Sequence, residues 1–300
     1  MSINSASLVN NYNPAVSKVY NDGVNSVPAV FDKVFDVQTS KQQYEKMGNM
    51  TGSGLLMKKT EGMDAVELKV YQKYLKTFTH STYAGFIRIT KEAADDDLSG
   101  NIKKLAQMLG ISTSQTIEVV AANYFDLAQT TAGPDGVALI SGSHPLVGIG
   151  TSTGSNALSS NAALSVTSLE ALLTKMRQTV DDYGNPKPLF PKSLLIPGMN
   201  EFTSIQLLKN TEKSGTTNRD INAIRERGLQ SIIWDYLTLT GSWYLLTDPS
   251  ERELIFFFRE KINGQMKAAP DTTDDAIFTS RCRFSLGHID WRGIAGSYGS

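Results

Sequence analysis

A chain of 300 residues with a formal charge of −1 is long enough for one large domain or two ordinary ones, and its near balance of 29 basic and 30 acidic residues gives no electrostatic ground for tight, general nucleic-acid binding. The same balance removes the self-repulsion that keeps highly charged chains apart, and so permits assembly. A single cysteine, Cys282, excludes an intrachain disulfide, and the longest aliphatic–aromatic run, Leu254 to Phe258, falls far short of the roughly 20 residues that cross a membrane.

The N-terminal MSINSASLVNNYNP has no basic stretch leading into an apolar one, so no secretory signal is expected and synthesis in a cytoplasm is. Within the first thirty residues Lys18 and Asp22 carry the only charges. The valines Val9, Val16, Val19, Val24, Val27 and Val30 are scattered without helical spacing. Such a segment builds no core of its own. Two readings stand: a disordered tail, or an extended arm lying on a neighbour.

After the turn-rich Gly48 to Gly54, the stretch Val66 to Thr79 alternates apolar and polar residues, as a strand does. Thr82 to Thr90 reads as a second strand. At about 3.3 Å per residue the first would reach roughly 45 Å, which suggests a long hairpin projecting from the body. A helix is expected next, capped by Thr90, with Glu92, Asp95, Asp96 and Asp97 near its start. Gly110 is expected to break it. A second helix, capped near Ser112 to Ser114, carries Ile117, Val120, Tyr124 and Leu127.

Residues 133 to 165 read as a long Gly/Ser/Asn-rich loop, with no charge between Asp135 and Glu170. Thr167 and Glu170 form an expected capping box for a helix whose stripe runs from Leu169 to Tyr183, ending at Gly184 and Pro186. Ser193 to Pro197 reads as a buried strand, Met199 to Leu208 as a short helix, and Thr211 to Asp220 as a polar turn. SIIWDYL, SWYLLTD, ELIFFFRE and the alternating C-terminal stretch read as strands. The order argues for α+β with a mixed sheet.

Catalytic and metal chemistry find little support. There are three histidines (His80, His144, His288), and with one cysteine a structural zinc site of the usual Cys/His kind lacks ligands. Cys282 sits in an alternating strand, and His144 in GSHPL without a nucleophile-elbow motif. No phosphate-binding glycine loop is present. Asp95 to Asp97 are consecutive on a helix and so do not share a face. Asp271, Asp274 and Asp275 lack the spacing of a calcium loop.

Four collinear stretches carry a resemblance: Tyr74 to Ala106, Leu169 to Gly198, Trp243 to Phe258 and Arg281 to Gly299. In this order they resemble the tailed-bacteriophage major capsid proteins of Hong Kong 97-type fold. The resemblance implies an N-terminal arm (1–48), an extended loop (49–90), a peripheral domain with a spine helix (91–165), an axial domain (166–254) and return strands (255–300). It implies hexamers and pentamers in an icosahedral virion shell around double-stranded DNA, assembled in the host cytoplasm without cofactor, metal or membrane. Some family members begin with a charged, cleaved scaffolding region. None precedes the arm, so a separate scaffolding protein is expected, with a portal and possible decoration protein as further partners.

The candidate contact residues are Val16, Val19 and Val27 in the arm. In the loop they are Leu55, Lys58, Lys59, Glu61, Lys69, Lys73 and Lys76, and at the helix start Asp95, Asp96 and Asp97. Lysines of the loop are expected to meet aspartates of an adjacent copy. Another phage structural component (tail tube, decoration or baseplate protein) or an α+β hydrolase are the alternative readings.

Overall fold

The computed structural model describes residues 5–95, 100–148, 150, 152–211, 221–268 and 275–299. The helices are α1 (Ser5–Ser26), α2 (Phe31–Val34), α3 (Lys91–Asp95), α4 (Asn101–Asp126), α5 (Val166–Arg177) and α6 (Glu201–Lys209). The strands are β1 (Asp36–Thr39), β2 (Tyr44–Met50), β3 (Gln72–Thr79), β4 (Ser81–Ile89), β5 (His144–Pro145), β6 (Thr153–Gly154), β7 (Ser193–Ile196), β8 (Gln230–Ile233), β9 (Ser242–Leu246), β10 (Leu254–Ala268), β11 (Ala276–His288) and β12 (Ile294–Tyr298).

Two four-stranded sheets organise the molecule. One runs β1-β10-β11-β4, with β1 parallel to β10 and the other pairs antiparallel. The other runs β12-β9-β7-β8, with β7 and β8 parallel. Ile117, Ala121 and Phe125 of α4 pack against Phe256, Phe258, Cys282 and Phe284 of the first sheet. The same cluster takes in Leu195, Tyr244 and Leu246 of the second. Helix α4 therefore joins both sheets into one core. Helices α5 and α6 cover the second sheet through Leu169, Leu172, Met176 and Leu207, which meet Leu194, Ile196, Trp243 and Leu245. Apolar stripes at 3–4 spacing explain these helices, and the all-buried β9 explains its uninterrupted apolar sequence.

The structure corrects four expectations. Helix α4 runs unbroken through Gly110, because that glycine is the point where α1 crosses. A Cβ there would stand 2.3 Å from the carbonyl oxygen of Tyr20, and a Cβ on Gly23 would stand 2.4 Å from that of Gln107. The arm is helical over 5–26 rather than extended. Its Val16 and Tyr20 are buried with Ile102, Ala106, Met266 and Phe278 of the same chain. Tyr20 Oη lies 2.6 Å from Ser280 Oγ, which in turn lies 2.7 Å from Thr113 Oγ1, a hydroxyl chain linking α1, β11 and α4.

The expected 66–90 hairpin does not form. Strand β3 pairs with β2, and β4 pairs with β11 at the edge of the first sheet. Residues 66–71 belong to no strand. The α5 cap is Ser165, reciprocally bonded with Ser168, and the helix ends at Arg177, short of Val180 and Tyr183. The polar turn expected over Thr211 to Asp220 lies, apart from Thr211, outside the described residues.

Buried Glu118 fastens the arm's exit. Its Oε1 accepts the Val30 N–H at 2.8 Å and its Oε2 accepts the Trp234 indole N–H at 2.7 Å. Burial pushes its carboxyl above the ordinary range.

Candidate assembly surface

The β2–β3 ribbon has its root held by Phe78, which is buried against Ile255 and Phe257. Its last rung is Thr51: the Thr51 N–H donates to the Tyr71 carbonyl at 2.8 Å, and the Tyr71 N–H donates to Thr51 Oγ1 at 2.9 Å. Beyond that rung, residues 52–70 form a loop without regular structure. It turns at Thr60 to Met63, where Gly62 takes a positive φ of 81°. This loop exposes apolar side chains in series: Leu55 at 70%, Leu56 at 87% and Met57 at 69%, followed by Met63, Val66 and Val70. Monomeric proteins rarely leave such a run in water.

Lys58, Lys59 and Glu61 lie exposed on the same loop, and Lys69 is exposed near its end. Lys73 and Lys76 behave differently from the sequence expectation. Lys73 faces inward, with its side chain only 9% exposed. Its Nζ stands 2.6 Å from Asp290 Oδ2 and 3.3 Å from Asp182 Oδ2. Arg292 closes the ring, 3.2 Å from each of these carboxylates. Burial opposes the charge on Asp290, but Arg292 and Lys73 outweigh it and hold the carboxyl down at about 2. Lys73 is thus taken by its own chain and is withdrawn as a contact with a neighbour. Lys76 is half-buried beside Gly287. Val16 is withdrawn too, since it is fully buried under α4; Val19 and Val27 are half-buried. Asp96 and Asp97 lie outside the described residues, and Asp95 ends α3.

A second exposed surface lies where β4 meets α4. A groove of about 340 Å³ opens there, lined by Tyr83, Gly85, Leu109, Ser112 and Thr116, with Cys282 among the lining residues. On the same two elements, Phe86 of β4 and Leu105 and Met108 of α4 are exposed.

The polar groups that suggest chemistry are consumed structurally. His144 is buried, stacked on Trp291 at 4.5 Å, with Nδ1 2.7 Å from Asp135 Oδ2 and Nε2 3.2 Å from Asn156 Oδ1. Burial alone would raise the Asp135 carboxyl, but the His144 hydrogen bond and charge hold it below the usual range. His80 bridges Ser40 at 3.0 Å and Ser285 at 2.9 Å, and burial pushes its pKa down. Burial also pushes the Cys282 thiol up to about 11, away from nucleophilic reactivity. Among the described residues, no group of three or more His, Cys, Asp or Glu is placed to hold a metal. No helix among them is long and apolar enough to cross a membrane.

Sequence reasoning missed the seat of the loop, the turn Asp181-Asp182-Tyr183-Gly184-Asn185. Asp181 Oδ1 accepts the N–H groups of Tyr183 and Asn185, each at 2.8 Å, and Gly184 takes a positive φ of 79°. Asp, Gly and Asn in such a run are turn formers, and that signal was present in the sequence.

A family model described as phage capsid protein matches residues 74–297. Comparison with curated proteins returns no match. Among solved structures, the capsid of the cyanophage P-SCSP1u aligns with a TM-score of 0.60 at 11% identity, over 91% of this chain and 88% of that one. The virus-like particle from Pyrococcus furiosus aligns at 0.57 and 12% identity, over 95% and 99%. The capsid of bacteriophage JBD30, which is decorated with minor capsid protein trimers, aligns at 0.57 and 14% identity, over 71% and 92%. These likenesses establish the mixed α/β, Hong Kong 97-type capsid fold over most of the chain. The chain belongs to the phage capsid protein family: it is a capsid protein of the virion, a structural protein and not an enzyme.

Proposed function

We propose that the chain forms hexamers and pentamers around double-stranded DNA, and that its 52–70 loop is the strap by which each copy holds the next. The observation that carries this reading is the exposed run Leu55-Leu56-Met57 on a loop whose root is fixed to its own body. Ring-closing contacts are heterologous, so each subunit needs two different complementary patches. The apolar strap is one, and the β4–α4 face with Phe86, Leu105 and Met108 is the other. In this reading residues 44–79 make the extended loop. The sheet β1-β10-β11-β4 with α4 makes the peripheral domain, and the sheet β12-β9-β7-β8 with α5 and α6 makes the axial domain.

A separate scaffolding protein, a portal and a decoration protein belong to the same reading. The family resemblance supports the first two, and the decorated JBD30 capsid supports the third. A net charge of −1 fits a wall that confines DNA without reading it. The test is the triple variant Leu55→Ser, Leu56→Ser, Met57→Ser, followed by sedimentation and negative-stain microscopy. The strap reading expects a folded, soluble subunit that no longer closes shells, and closed shells at the wild-type yield would contradict it.

A further inference from the structure

The loop is not free to take any angle to the body. Past the Thr51–Tyr71 rung, Tyr183 meets both of its limbs. The Tyr183 hydroxyl donates to the Lys69 carbonyl on one limb. On the other, a Cβ on Gly54 would lie 3.7 Å from the Tyr183 ring. One residue earlier in the same turn, Asp182 holds Lys73 of β3 and Arg292 of the β11–β12 connection. Arg292 is fixed further by its Nε donating to the Val180 carbonyl at 3.0 Å. The turn itself is built rigidly by Asp181, and it rests on Gly148, where a Cβ would stand 2.5 Å from the Asp182 carbonyl oxygen. A single five-residue turn therefore grips the ribbon by charge and the loop by a hydroxyl and a ring face.

We propose that the 181–185 turn sets the angle at which the loop leaves the subunit, which makes Lys73, Asp182 and Tyr183 positioning residues for assembly. The proposal rests on the reading of the loop as the strap between copies. Its physical basis is closure: a heterologous contact makes a closed ring only when the rotation between successive copies is fixed, and otherwise yields open arrays or helical forms. An ionic ring shielded from solvent suits this task. It is directional, and it resists the salt that screens exposed pairs. The ring sits at the far end of the ribbon, beside the Thr51–Tyr71 rung where the loop begins, so a small rotation there is magnified along the loop.

The test uses the full chain with Lys73→Met, Lys73→Arg and Tyr183→Phe. Amide hydrogen exchange is read over residues 51–79 of dissociated subunits, and particle shape is read by electron microscopy after assembly. Lys73→Met and Tyr183→Phe should raise exchange over 66–73 by about 10-fold or more while the 166–196 segment stays as in the wild type. They should assemble into open sheets, tubes or shells of mixed diameter, and Lys73→Arg should restore uniform shells in part. Unchanged exchange over 66–73 would overturn the proposal, and so would uniform shells of wild-type diameter from subunits whose loop has loosened. If Lys73→Met fails to fold, Tyr183→Phe, which removes one hydroxyl at the surface, decides alone. Failure of the strap reading is separately visible. In that case the serine variants of Leu55, Leu56 and Met57 assemble normally, whatever the exchange data show.

Discussion

Gly110 of α4 and Tyr20 of α1 meet so closely that a Cβ at position 110 would stand 2.3 Å from the Tyr20 carbonyl oxygen. The contact falls on backbone, which cannot swing aside as a side chain does. Around it Ser114 Oγ donates to the Val24 carbonyl at 2.8 Å, and Tyr20 packs edge-on against Phe278 at 5.2 Å. Gly110→Ala should therefore destabilise the subunit by about 1–3 kcal/mol, although alanine is the better helix former. Thermal or denaturant unfolding checks the sign. A gain in stability would mean that α1 does not dock on α4 as described.

That crossing also shows why part of the fold was hidden in the sequence. Reading the N-terminal segment by its valines gives no period. Reading it as Val16, Tyr20, Val24 and Val27 gives 4-4-3 spacing, a helical stripe, and three of these four pack into the cluster under α4 or onto it. The tyrosine was the missing member. Gly110 looked like a helix breaker because its low propensity is a local property, whereas its role as a crossing point depends on a partner about ninety residues away in the chain. The later elements were legible because their signals are local: the Leu169–Met176 stripe, the apolar Ser193–Ile196 strand and the alternation in β11. Lys73 was misjudged for the opposite reason. A lysine in a strand reads as surface, and nothing near it in sequence announces Asp182 and Asp290.

Acid should weaken the subunit through His288. Burial pushes its pKa down to about 4, so the folded imidazole is neutral. The Tyr124 phenol, whose pKa burial pushes up, keeps its proton and shares a hydrogen bond with His288 Nδ1. A histidine whose folded pKa lies below the unfolded value of about 6.5 binds its proton more readily when unfolded. Its contribution is complete above pH 6.5 and is lost as pH falls towards 4, by about 3 kcal/mol in all. Asp290 adds a loss at lower pH, as its carboxyl, held at about 2, is protonated. His288→Gln should flatten the unfolding profile between pH 6.5 and 4 and leave the lower limb in place. A profile as steep as the wild type's would contradict the assignment.

The exposed charges on the loop should bias assembly at low salt. Lys58 and Lys59 have no carboxylate within 4 Å among the described residues, which leaves them for a neighbour. Each exposed pair contributes only about 0–1 kcal/mol, but the contact repeats around every ring. The double variant Lys58→Glu, Lys59→Glu should assemble more slowly at low ionic strength and recover in high salt. Adding Asp96→Lys and Asp97→Lys should restore part of the rate at low salt, as followed by light scattering. Rates that are insensitive to both changes would remove electrostatics from the strap.

Whether the loop is the strap between copies is most directly tested by its accessibility before and after assembly. Leu56 is 87% exposed in the single subunit, and Cys282 is 1% exposed with its thiol pushed up to about 11. A Leu56→Cys variant therefore carries one reactive thiol over a silent background. Maleimide labelling should be fast in dissociated subunits and slower by on the order of 10-fold or more in closed shells, because thiol reactivity follows exposure. Equal labelling rates in subunits and shells would show that the loop stays in solvent after assembly, and would contradict the account.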